Sequence, residues 1–299
     1  MSQPLEITLR TLTPLWTGGV DQTADRLHET GLIGSLRWWY EALVRGLGGY
    51  ACDPTAEGRC EYDPKKPDPP EKQLCAVCYL FGCTGWARKF RLRVLDSSGQ
   101  LIRGPIQANA ELVLEFVELR PIGPEEKWLL VKAVEIATRY GALGGKTTLK
   151  PQRGPMGEDF GIAEWVQGPN VQKPEDVATF LQGFRRDTQP QEYPNLVRFF
   201  FVQGAYLLRL QMNALLGLNN QGRPLANSDE VQRFLQGRRG TAQSDAVSKK
   251  LFSFKAGGGR IWGYARDVGM RDEIIRRIKR QLGKRPFTVK TGEEVLHEL

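Results

Sequence analysis

The sequence predicts an α+β protein of two units, each a small antiparallel sheet with helices packed on one face. Three observations carry this. Over residues 5–141 the apolar spacing switches between period two and period 3.6 in the order strand, helix, strand, strand, helix. The second half repeats such elements in weaker form. All five cysteines fall between Cys52 and Cys83, marking a segment with a job of its own.

Leu5, Ile7 and Leu9 alternate with polar neighbours, so the chain opens on a strand that Pro14 ends. Thr17-Gly18-Gly19 begins a polar loop that runs to about Thr30. Leu32, Ile33, Leu36, Trp39, Tyr40, Leu43, Val44 and Leu47 then recur at helical spacing, closed by Gly46, Gly48 and Gly49. Phe90, Leu92 and Val94 alternate with Lys89, Arg91 and Arg93 in a second strand, and Asp96–Gly99 is a turn. Leu112–Leu119 reads as the next strand. Pro124-Glu-Glu is a good helix start, continued by Trp128 to Tyr140 and stopped at Gly141. This order is most of a ferredoxin-like βαββαβ unit.

The cysteine segment interrupts that unit between its first helix and second strand. Pro54, Pro64, Pro67, Pro69 and Pro70 exclude regular structure there. Cys75 and Cys78 form a C-x-x-C pair, which lets two thiolates reach one ion from a tight turn. An odd cysteine count argues against a fully paired disulfide framework. Cys52, Cys60, Cys75 and Cys78 are therefore the predicted ligands of a structural Zn2+, with Cys83 as a packed thiol. Four thiolates leave no open coordination position, so such a metal staples the fold and does no chemistry.

In the second half, Glu175–Arg186 and Pro194–Leu216 read as helical. Leu251–Lys255 and Arg260–Tyr264 read as a strand pair joined by Gly257–Gly259, and Arg271–Leu282 as a basic amphipathic helix. The resulting partition is 1–157, with a cysteine-rich insertion at about 50–87, and 158–299 as a second, degenerate unit.

Hydrophobic residues make up 40% of the 299 positions, with seven Trp and thirteen Phe, which is globular composition. The N-terminus lacks the basic and apolar regions of a secretory signal, and the apolar stretch from Phe199 to Leu218 is broken by polar residues. These features predict a cytoplasmic protein with no membrane partner. The net charge is +8, and Arg88–Arg93 and Arg276–Arg280 are locally dense in cations. Cations interleaved with apolar residues give a packed element one basic face, which suits a phosphate backbone.

Gly141–Gly157 is the second informative stretch. Its glycines let backbone amides approach an anion, and Lys146, Lys150 and Arg153 add charge there. Its glycine spacing is not that of a Walker A loop. Gly34 and Ser35 are placed by the sequence at a helix N-terminus, where amides and a hydroxyl meet phosphate, with Arg37 beside them. Trp38 has two readings, stacking on a base or filling the seam between helix and sheet, whereas Trp39 is core by periodicity.

Four stretches together resemble the RAMP superfamily of CRISPR RNA-binding proteins, and within it the family of the first RAMP subunit of type III-B Cmr effector complexes. They are Thr13–Gly19 (TPLWTGG), His28–Tyr40 (HETGLIGSLRWWY), Cys75–Gly82 (CAVCYLFG) and the Gly141–Gly157 loop. The resemblance is specific in the first half and rests mainly on Gly257–Tyr264 in the second. It implies two RAMP-type, RRM-like units and a non-catalytic subunit in antiviral defence. Such a subunit grips guide RNA and target RNA near the guide 3′ end, with other Cmr subunits as partners, in a prokaryotic cytoplasm. The RNA-binding residues it implies here are Thr17, Gly18, Gly19, Arg26, Gly34, Ser35, Arg37, Trp38, Lys146, Lys150, Arg153 and Arg260.

Two alternatives stand beside this. Asp21, in the loop after the first strand, resembles the aspartate of RNA-cutting RAMP subunits, although the other residues of that motif are missing. A metal-dependent ribonuclease would use it, and His28 is a weaker candidate base without a visible partner acid. The other alternative is a zinc-stapled scaffold whose basic surface meets acidic proteins.

Overall fold

The computed structural model describes residues 4–18, 25–145, 159–190, 192–237 and 247–299. Strand β1 (Leu5–Thr11) turns Ile7, Leu9 and Thr11 inward, as its alternation requires. Helix α1 (Glu29–Gly46) follows, then two short helices inside the cysteine segment, α2 (Pro70–Gln73) and α3 (Ala76–Phe81). Regular structure there is a departure from the sequence reading. Pro70 takes the first turn of α2, where its missing N–H is no loss, and Cys75 caps α3. β2 (Phe90–Asp96), β3 (Glu111–Glu118), α4 (Pro124–Arg139) and β4 (Ala163–Gln167) complete the first sheet, in the antiparallel order β2-β3-β1-β4. That is the ferredoxin-like order. β4 lies beyond residue 157 in the chain and pairs with β1.

The second unit runs through α5 (Val177–Gln182), a 3₁₀ turn (Leu196–Arg198), β5 (Phe199–Gln203), α6 (Arg209–Leu215), α7 (Glu230–Gln236), β6 (Leu251–Phe254), β7 (Arg260–Tyr264), α8 (Val268–Leu282), β8 (Thr288–Thr291) and α9 (Gly292–His297). Its sheet order, β6-β7-β5-β8, repeats the first, again antiparallel. The stretch 194–216 is therefore not one helix. Phe199-Phe-Phe-Val202 is a central strand buried on both faces, so it reads as a continuous apolar run with no alternation. The helix expected over 175–186 is confined to Val177–Gln182.

The layers stack as sheet, helices, sheet, helices. Phe199 and Phe201 of β5 join the core shared with α1 and α4, while Phe200 and Val202 face the core that holds Ile274 and Ile278 of α8. Helix α1 is consequently enclosed on nearly every side, down to Glu41 and Arg45. Gly141 ends α4 because nothing larger fits: a Cβ there would stand 2.0 Å from Cζ2 of Trp39. The same indole donates from Nε1 to the carbonyl of Ala142 at 3.0 Å, locking α1 to the chain leaving α4.

Candidate metal centre and nucleic-acid surface

The loop after α1 brings Cys52 and Cys60 against the first turn of α3, which carries Cys75 and Cys78. All four Sγ atoms lie within 4.8 Å of one another and all four residues are buried. Cys52 Sγ is 3.4 Å from Cys78 Sγ and 3.9 Å from Cys75 Sγ. A tetrahedral ion with metal–sulfur bonds of about 2.3 Å needs sulfur–sulfur edges of about 3.8 Å, so the cluster fits one. Backbone amides already point at the sulfurs, Cys75 N to Cys60 Sγ at 3.3 Å and Cys78 N to Cys75 Sγ at 3.5 Å. Hydrogen bonds among the thiols split the four: those with Cys60 first push Cys52 down to about 7 and those with Cys52 first hold Cys75 well below the usual thiol range, whereas those with Cys52 first push Cys60 and Cys78 up. These four cysteines can bind a metal ion. Cys83 is partly exposed, its Sγ 3.6 Å from the carbonyl of Thr84.

Arg37 belongs to this centre and not to an open surface. Its Nη2 donates to Cys78 Sγ at 3.1 Å, its Nη1 to the carbonyl of Gly82 at 2.8 Å, and its Nε to Glu41 at 2.9 Å. Arg260 is also internal. Its Nη1 donates to the carbonyls of Thr138 and Gly141, capping the C-terminal end of α4, and burial pushes its pKa down to about 10. Both were expected among the RNA-binding residues, and both guanidiniums are held by sulfur or backbone carbonyls within the fold. Helix α1 also begins five residues earlier than that reading, at Glu29, so Gly34 and Ser35 lie within it and not at its N-terminus.

The remaining predicted residues within the described parts gather at one place. The hydroxyl of Thr17 accepts from the amide of His28 at 3.0 Å and donates to the carbonyl of Arg26, pinning the start of the polar loop to the start of α1. Gly18 is half-buried beside it, Arg26 is exposed, and Gly34 faces open space. Ser35 accepts from the amide of Gly144 at 3.0 Å. Gly145 donates to the carbonyl of Trp16 at 2.6 Å, and Gly144 takes a positive φ of 78° against that same carbonyl. Trp16, next to Gly18, and Gly144–Gly145 therefore lie side by side against α1. Beyond the second loop, Asp159 accepts from the amides of Lys255 and Ala256, tying it to the β6–β7 hairpin. Gly19, Asp21, Lys146, Lys150 and Arg153 lie outside the described residues.

From Ser35 and Gly144 a cleft of 440 Å³ opens between the units, with walls that include Trp38, Tyr193, Lys250, Trp262 and Tyr264. Trp38 is half-buried and stands edge-on to Trp39, with its ring 5.9 Å from Trp262, so it fills part of the seam and also borders the cleft. Phe252, also on the cleft wall, packs against Trp262 with ring centres 4.1 Å apart and planes tilted by 35°. Burial lowers the pKa of Lys250, whose ammonium lies over the ring of Phe234 at 4.7 Å. An aromatic wall with a cation nearby is chemically suited to an unstacked base and its phosphate. The sequence reading did not place Tyr193, Lys250, Trp262 and Tyr264 on this cleft. The alternation Trp262-x-Tyr264, two aromatics on one strand face, was the available signal.

The two dense basic runs are partly neutralised. Lys89 is buried against Glu126 at 2.7 Å and Arg93 pairs with Glu115 at 2.8 Å. Arg276 and Arg277 pair with Glu273, and Arg277 also with Asp229. Among the described residues no helix is long and apolar enough to cross a membrane.

The RAMP superfamily model matches residues 8–149. The crystal structure of Cmr1 from Pyrococcus furiosus in its apo form superposes with a TM-score of 0.51 at 12% identity, covering 97% of this chain and 100% of that one. A chain of the cryo-EM structure of type III-B Cmr-beta, bound to cognate target RNA and AMPPnP, superposes with a TM-score of 0.51 at 10% identity, covering 94% and 99%. At these identities the likeness is one of fold, and it extends over both units. No curated protein matches the sequence.

Proposed function

We propose that this chain is a member of the RAMP superfamily and a non-catalytic RNA-binding subunit of a type III-B CRISPR effector complex, acting in a prokaryotic cytoplasm. The observation that carries the reading is that Trp16, Ser35 and Gly144–Gly145 meet at the mouth of an aromatic cleft. Gly18, Arg26 and Ser35, with the loop cations Lys146, Lys150 and Arg153, hold the RNA backbone. Trp38, Tyr193 and Tyr264 receive a base, and Lys250 sets the local charge. Similarity to a chain from an assembly described with cognate target RNA supports guide and target RNA, and other Cmr subunits, as partners. Binding near the guide 3′ end and a part in antiviral defence belong to the same proposal. The two units divide between β4 and α5, after β4 has completed the first sheet.

The ion at the cysteine cluster is, on this reading, zinc, which four thiolates in a tetrahedron favour. It holds the cysteine-rich segment against α1 and takes no part in chemistry. Titration of fluorescent single-stranded RNA at several salt concentrations tests the main proposal. Affinity that falls steeply with salt supports it, since released counterions drive such binding. Absence of binding, or binding indifferent to salt, rejects it.

A further inference from the structure

One buried chain of charges runs from the cysteine cluster to the wall of the cleft. It starts at Cys78, whose Sγ accepts from Arg37 at 3.1 Å. Arg37 pairs with one carboxylate oxygen of Glu41 at 2.9 Å, and the other oxygen lies 3.7 Å from Arg45. Arg45 then divides its guanidinium. Nη2 donates to the carbonyl of Ala51 at 2.8 Å and to that of the ligand Cys52 at 3.4 Å, while Nη1 donates to the carbonyl of Pro194 at 3.1 Å. The guanidinium carbon also lies 5.1 Å from the ring centre of Tyr193. Asn195 returns the contact, donating from Nδ2 to the carbonyl of Arg45 and accepting the amide of Val197 to start the 3₁₀ turn. Tyr193 and Pro194 line the cleft, as does Asp53, the residue after Cys52.

The side chains of Glu41 and Arg45 are 7% and 2% exposed, so neither charge has water to replace a lost partner. Burial raises the pKa of Glu41, and Arg45 and Arg37 pull it back down. One guanidinium thus fastens both the backbone beside a metal ligand and the backbone that forms the cleft wall.

We infer that Arg37, Glu41 and Arg45 are positioning residues through which an occupied cysteine centre holds the Tyr193–Pro194 wall of the cleft in place. With an ion bound, four thiolates anchor Arg37 by charge. Without it the four sulfurs lose their common partner, and the fixed position of Arg37 and of the Ala51 and Cys52 carbonyls is lost with it. The role in RNA binding rests on the reading of the cleft given above. The mechanical link does not.

The test is hydrogen exchange over residues 192–198 in three preparations without RNA: metal-loaded wild type, wild type stripped by chelator, and cobalt-loaded Glu41→Gln. The cobalt–thiolate absorption shows whether the variant retains an intact centre. The inference predicts exchange about tenfold faster at 192–198 in both the stripped wild type and the loaded variant, with β1 and β3 unchanged. Protection at 192–198 equal to that of loaded wild type, in either preparation, overturns it. If stripping unfolds the chain, the loaded variant alone decides. If Glu41→Gln takes no cobalt, Arg45→Met, which touches no ligand side chain, replaces it with the same two outcomes. RNA affinity is measured separately on the same samples. Wild type that fails to bind RNA sinks the functional reading and leaves the exchange result to judge the link.

Discussion

Arg37 donates to the sulfur of Cys78 at 3.1 Å, from a helix position two residues before the core indole of Trp39. The arginine therefore connects the cysteine cluster to α1, whose Leu32, Leu36, Trp39, Tyr40 and Leu43 are buried in the shared core. A guanidinium beside a thiolate makes a charge-assisted hydrogen bond, and it offsets part of the negative charge that four cysteine ligands bring. The cysteine segment is in this way continuous with the core and is not an appendage on it.

Removing one ligand should release the ion and loosen that connection. Cys75→Ser is expected to lose bound metal, measured by elemental analysis of purified protein. It should also lower the melting temperature by about 10 °C, since each kcal/mol shifts a chain of this size by a few degrees. Unchanged metal content and melting would reject the staple.

Gly141 has a purely steric role. Its Cβ would meet Cζ2 of Trp39 at 2.0 Å, and that indole is fixed by its bond to Ala142. Gly141→Ala should destabilise the chain by about 1–3 kcal/mol, read from urea denaturation. Loss of only a few tenths of a kcal/mol would mean that the α1–α4 contact is softer than described.

Backbone and base contacts should separate experimentally. Trp38→Ala is predicted to weaken single-stranded RNA binding by about 1–3 kcal/mol while leaving the salt slope unchanged, as for loss of a stacking surface. Arg26→Ala should reduce that slope by about 1 and act evenly on all sequences. Equal effects of both variants on the slope would argue against a stacking role for Trp38.

The N-cap of α8 supplies a pH dependence. Asp267 accepts the amide of Met270 at 2.8 Å, and that bond, together with Arg266, holds its carboxyl below the usual 3.8. A lowered folded pKa means stability that is present above 3.8 and lost as pH falls through the folded value. Asp267→Ala should cost about 1 kcal/mol near neutrality, and its deficit relative to wild type should narrow in acid. Thermal melts of both proteins across that range check the sign.

The sequence revealed much of the first unit. Leu5, Ile7 and Leu9 alternate on a strand with one buried face, and α1 shows a helical period even though it is enclosed, because its widest side chains lie toward the sheets. The cysteine cluster was legible from spacing alone. Phe199–Val202 was not, since a central strand buried on both faces carries no alternation to distinguish it from a helix. β4 and β8 were missed because they are short strands with mostly exposed or half-exposed side chains. Arg37 and Arg260 illustrate a different limit. Sequence identifies a guanidinium but not its acceptor, and here the acceptors are a thiol of the insertion and the carbonyl end of α4, both distant along the chain.

Crosslinking of thiouridine-containing single-stranded RNA to the whole chain, followed by mapping of the modified peptides, tests the central claim most directly. The account predicts adducts at Trp38, at Tyr193 and on the peptides carrying Gly18 and Lys146. Adducts confined to the exposed cations Lys279 and Arg280 of α8, on the far side of the second sheet, would contradict it.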